Sequence, residues 1–158
     1  MISILLLATV TILYAGYNLF IKVSGETVPP GVSSTILATV ALQISALATS
    51  AVFASILLLR GGAVLQLPAP TYLWAVVAGI CIGGAEIAYF YLFGGIGSHA
   101  SMEASRAIPV VVSGTIVITL VVSYFLFREA ISIVQLFGTC LIVAGLAVLF
   151  LGNSSTAN

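Results

Sequence analysis

Apolar positions run along this chain in five long stretches, at about 1–21, 32–59, 71–93, 101–127 and 131–151, separated by short polar or Gly- and Pro-containing breaks. Each stretch is near or above the ~20 residues that carry an α-helix across about 30 Å of hydrocarbon. Strands of a membrane barrel would be about 10 residues long and would alternate, so the runs predict helices, which satisfy every backbone N–H and C=O internally. The expected architecture is an all-α membrane domain of five spans over residues 1–151, followed by a polar tail at 152–158. An odd number of spans puts the two ends of that domain on opposite sides of a bilayer.

The breaks carry turn and cap chemistry. The first contains Gly25 and Pro29-Pro30-Gly31, the second Gly61-Gly62, Pro68 and Pro70, and the third three glycines between Gly94 and Ala100. Between the fourth and fifth spans only Arg128, Glu129 and Ala130 remain, which makes those two helices antiparallel neighbours. The tail from Gly152 onward is polar and predicted to be disordered. Lys and Arg in short loops set membrane orientation. Arg60 and Arg128 fall on the side of the amino terminus, Lys22 and the neighbourhood of Arg106 on the other, so a single orientation is only weakly specified.

Composition agrees with a bilayer as the solvent. With 61% hydrophobic and 5% charged residues, and a mean hydropathy of +1.31, the 158-residue chain cannot cover a water-facing surface with polar groups. The first stretch has no basic segment before it and no small-residue cleavage site before Lys22, so it reads as a retained span rather than a signal peptide. A net charge of zero and the absence of a Lys/Arg cluster exclude nucleic acid as an expected partner and leave no polybasic lipid patch. Cys81 and Cys140 lie inside spans without CxxC spacing, and are expected to be small packing residues. No nucleophile–base pair, metal cluster or phosphate loop is visible, so neither an enzyme nor a cofactor is expected.

From Tyr89 onward the order of features is distinctive: an aromatic end to the third span, a Gly-rich turn, Pro109-Val110 in the fourth span, then Phe127-Arg128-Glu129-Ala130-Ile131-Ser132, Gln135, Gly138 and Gly145. This resembles the EamA-type domain of the drug/metabolite transporter superfamily, over the second half of the chain, with Arg128 where that family usually carries Gly. The resemblance implies one five-span half of an inverted-repeat transporter that exports amino acids, metabolites or drugs from the cytoplasmic membrane of a prokaryote. Inverted repeats put the substrate site near the bilayer midplane between the two halves, so one unit needs a second wall. A second copy inserted upside down, giving an antiparallel homodimer, is the economical partner. Another membrane subunit is the alternative.

Within the spans, Glu86 is the prime candidate. It lies about 5 Å from the middle of 71–93 at 1.5 Å rise per residue, where an ionised side chain costs roughly 2.5–3.5 kcal/mol. It should therefore face the bundle interior. Gly79 and Gly83 form a GxxxG whose face includes Glu86, and such faces admit close helix contact. Arg106 in the fourth span could neutralise it, but Glu103 lies three residues before Arg106 and competes. A carboxyl left over in low dielectric is poised to exchange protons. Glu86, Glu103 and Arg106 are thus the expected proton-coupling or substrate-binding groups.

Other polar and aromatic residues are candidate cavity lining: Asn18, Gln43 (in line with Thr39 and Ser50), Tyr89, Phe90, Phe93 and Gln135. Interhelical hydrogen bonds of ~0.6 kcal/mol explain the polar ones equally well. Tyr72, Trp74, Tyr91 and Tyr124 near span ends fit an interfacial belt. Pro109 reads as a hinge, with Gly138 and Gly145 as packing positions. Glu129 is expected to cap the fifth helix, and His99 to sit in an exposed loop. Together these residues predict a secondary transporter of small organic molecules, coupling efflux to protons as an inverted dimer in contact with lipid. The competing reading is a non-transporting subunit of a larger membrane complex.

Overall fold

The computed structural model describes residues 2–61, 66–95 and 100–153. They form five α-helices and no strand: α1 (Ile2–Thr27), α2 (Val32–Leu59), α3 (Ala69–Gly94), α4 (Ala104–Phe125) and α5 (Ile133–Asn153). Helices α1 to α4 are long and apolar enough to cross a membrane, and the apolar run of α5 covers the shorter Ile133–Leu149. The fold is that of an all-α membrane protein. His99 and residues 154–158 of the tail lie outside the described residues.

Helix α2 begins and ends where its apolar stretch does, but α1 continues six residues past the expected Ile21. Its last turns are polar yet helical, because Lys22 Nζ pairs with Glu26 Oε1 one turn on at 2.6 Å. Pro29-Pro30 then forbids continuation. Gly61 and Gly95 follow α2 and α3 with φ of 72° and 80°, the left-handed region that glycine enters without steric cost. Helix α4 starts at Ala104, three residues later than expected, and runs on through Pro109. The Ser113 hydroxyl donates to the Pro109 carbonyl at 2.6 Å. Elsewhere, hydroxyls such as Thr9, Thr11, Thr39 and Thr49 donate to the carbonyl four residues back, which removes the cost of placing them in hydrocarbon.

Helix α5 begins with a reciprocal capping box. The Ser132 N–H donates to Gln135 Oε1 at 2.8 Å, and the Gln135 N–H to Ser132 Oγ at 3.2 Å. This corrects the expectation for Glu129, which precedes the first helical residue by four positions and instead sends its backbone N–H to the Ser123 carbonyl at 3.1 Å. The turn between them holds Arg128 at φ 53°. A non-glycine residue there brings its Cβ against the backbone.

The chain divides into two compact units, residues 1–101 and 102–158. In the first, α3 packs against α1 and α2. The pairs Tyr17–Glu86 and Gly25–Gly94 share an offset of 69 residues, so α1 and α3 run parallel in register. Their closest approach is at Gly25, where an added Cβ would stand 2.9 Å from Phe93 Cβ, and at Gly94, where it would meet the Gly25 carbonyl at 3.0 Å. By contrast, a Cβ at Gly79, Gly83, Gly138 or Gly145 would have no neighbour within 4 Å. Burial in this unit is confined to one end: Ile21, Phe90 and Phe93 are enclosed, while residues 2–15, 44–59 and 69–82 are exposed throughout. Cys81 and Cys140 are exposed as well, so neither packs as a core residue among the described elements. In the second unit α4 packs on α5, with Ala107 and Ser113 buried.

Two stability outcomes follow. Gly25→Ala should cost about 1–3 kcal/mol through overpacking, whereas Gly79→Ala should not destabilise, as read from denaturant unfolding in detergent. Arg128→Gly should stabilise by about 1 kcal/mol by relieving the left-handed backbone, and Arg128→Ala should not, which separates backbone relief from loss of charge.

Candidate functional site

Glu86 lies on α3, eight residues before its end; Tyr17 lies ten before the end of α1, and Gln43 eleven after the start of α2. These three helix ends are on the same side of the unit, because successive helices reverse direction. At 1.5 Å per residue the three side chains belong to one layer about 12–17 Å from those ends. The layer lies inside the spans, about 4–7 Å from the middle of each helix.

Glu86 is only 2% exposed. The Tyr17 hydroxyl donates a short hydrogen bond to its Oε2. Neutral O–H donation keeps the carboxyl satisfied without a cation, and the phenol can also accept from a carboxylic acid, so either protonation state retains a partner. Aromatic rings hold Tyr17 in place: Tyr14 and Tyr89 meet it edge-on at centroid distances of 6.1 and 6.3 Å. Tyr89 in turn stacks on Phe93 at 5.5 Å, and Lys22 Nζ lies 5.6 Å from the Phe93 ring centre.

The sequence candidates differ in where they lie and in what satisfies them. Glu86, Tyr89, Phe90 and Phe93 come together on one face of α3, but Phe93 is fully buried and acts as packing. Phe90 does line a groove, of about 470 Å³, with Tyr17, Phe20 and Ser24 of α1 and Ala38 and Ser45 of α2. Asn18 is buried and its amide donates to the Tyr14 carbonyl at 2.8 Å, so its own helix satisfies it. Thr39 is buried and likewise back-bonded, to Thr35, whereas Ser50 is exposed. Gln43 differs: its Nε2 is buried with no hydrogen-bond partner among the described residues. An orphan donor of this sort costs about 1–3 kcal/mol and calls for an acceptor from water, ligand or partner.

Glu103 and Arg106 belong to the second unit, where Arg106 Nε lies 3.7 Å from Glu103 Oε2 with both side chains largely exposed. Gln135 closes the α5 capping box and also borders a groove on α4. The exposed rings of Tyr72, Trp74 and Tyr124 sit near helix ends, where an interfacial belt places them. Tyr17 carries the site and was not singled out from sequence. Its depth matches that of Glu86 only once α1 is known to end at Thr27.

No protein-family model, no curated protein and no solved structure matches the chain.

The Tyr17–Glu86 bond predicts an order of substitutions. Glu86→Gln keeps an acceptor oxygen for Tyr17 and should change folding stability by less than about 1 kcal/mol. Glu86→Leu strands the phenol O–H and should cost about 1–3 kcal/mol in the same unfolding measurement.

Proposed function

We propose that this protein is a secondary transporter of small organic molecules, exporting them in exchange for protons, with Glu86 as the coupling acid. The observation that carries this reading is a carboxyl inside an apolar helix long enough to span a membrane, 2% exposed and hydrogen-bonded to a phenol. Ionisable groups inside a membrane are costly and are retained for substrate or proton pathways. Tyr17 lets Glu86 gain and lose a proton without orphaning either state, which is what a coupling site requires. Gln43 adds a donor in the same layer for a substrate acceptor. The second wall of the site comes from another copy of the chain in inverted orientation, in the cytoplasmic membrane of a prokaryote.

A second reading, a non-transporting subunit of a larger membrane complex, is favoured by the apolar halves of α1, α2 and α3, which the described residues of their own unit leave exposed. One experiment separates the two. The full chain, reconstituted in vesicles loaded with a pH-sensitive dye, is challenged with a panel of amino acids and apolar amines under an imposed pH gradient. A transporter gives compound-dependent proton flux that falls at least tenfold in Glu86→Gln. An accessory subunit gives none with any compound, and flux unaltered by Glu86→Gln would remove that residue from the mechanism.

A further inference from the structure

The second unit carries a polar groove that the coupling site does not use. Thr115, Thr119 and Ser123 recur every fourth residue on one face of α4, and this face borders a cavity of about 360 Å³ against the start of α5. Ile116, Leu120 and Ile131 supply its apolar wall, and Glu129 borders it beyond the end of α4.

The hydroxyls of this row are not equivalent. Thr115 donates to the Val111 carbonyl at 2.7 Å, as hydroxyls on the other helices do to their own backbones. The side chains of Thr119 and Ser123 make no hydrogen bond among the described residues, although a carbonyl lies one turn back from each. Glu129 is held at the same place by its backbone bond to the Ser123 carbonyl, and the ion pairs of the described residues, Lys22–Glu26 and Arg106–Glu103, do not include it. One carboxylate and two open hydroxyl oxygens therefore border one cavity at the end of a membrane helix.

We infer that the α4–α5 groove binds a primary ammonium group carrying an apolar chain. The three N–H donors of an ammonium match three acceptors, Glu129, Ser123 and Thr119. The carboxylate supplies the charge-assisted bond, and the chain lies along Ile116 and Leu120. A quaternary ammonium has no N–H to give these oxygens. A hard divalent cation takes six or more oxygen ligands and gains nothing from the apolar wall. The ammonium can come from an aminophospholipid headgroup or from a free amphiphilic amine, and the site is independent of Glu86.

The test uses the purified full chain and native mass spectrometry in two arms. In the lipid arm, equal amounts of phosphatidylethanolamine and phosphatidylcholine with identical acyl chains compete for the protein. In the amine arm, n-decylammonium competes with decyltrimethylammonium in detergent. Preference for the primary ammonium in either arm supports the site and identifies its source. That preference should fall at least tenfold both in Glu129→Gln and in the double variant Thr119→Val, Ser123→Ala. Circular dichroism checks that both remain helical, and the double variant keeps the carboxylate should Glu129→Gln fold poorly. Equal retention of primary and quaternary head groups in both arms, or a preference that survives both variants, overturns the proposal.

Discussion

A carboxyl group inside a membrane-spanning helix must be satisfied there, and here Tyr17 does so. Their bond ties α1 to α3 in parallel register, and the same register eight residues further on brings Gly25 against Gly94. The two contacts are about 12 Å apart along the helices. Between them lie Ile21 and Phe90, two of the most deeply enclosed apolar side chains in the unit. The partner that the first unit gives Glu86 is a neutral donor. Its neutrality matters: an ion pair fixes one protonation state, whereas phenol and carboxyl accommodate two.

The tight end of the first unit depends on glycine, and its loose end on the bilayer. Where α1 meets α3 at Gly25 and Gly94, backbones approach too closely for any side chain. Beyond Glu86 the helices stop burying one another, and Leu, Ile, Val and Phe side chains of α1, α2 and α3 face outward. Lipid tails are as apolar as those side chains, so the hydrophobic effect does not close this end, and only packing or hydrogen bonds would. Gly79 and Gly83 lie in that part of α3 with open space beside them. A second copy in the proposed assembly would find the surface it needs there without disturbing the Tyr17–Glu86 pair.

The helices were legible because apolar runs longer than 20 residues have few other solutions in lipid. Val32–Leu59 was readable to the residue, since Gly and Pro border it. The end of α1 was not, because Lys22 and Glu26 look like loop residues in composition and behave as a helical ion pair in space. That one boundary had a consequence at the site. With α1 ending at Ile21, Tyr17 would lie about 6 Å deep and out of line with Glu86; with the end at Thr27 the two are level. Glu86 itself could be chosen from the cost of burying charge alone. Ser132 and Gln135 hold a capping-box spacing in the sequence, but the carboxylate of Glu129 is the stronger charge signal for a helix start. The open hydroxyls of Thr119 and Ser123 had no sequence signal, because nothing in the order of residues says which hydroxyl bonds its own helix.

The proposed transport cycle requires Glu86 to change protonation state while remaining bonded to Tyr17. Infrared difference spectroscopy on the full chain in lipid vesicles reads this directly, through the carboxylic acid C=O band that disappears in Glu86→Gln. The account predicts that this band loses intensity as pH rises, and that a tyrosine ring mode assigned with Tyr17→Phe shifts over the same interval. A Glu86 band that is unchanged at every pH, or that titrates with no response from Tyr17, would contradict it.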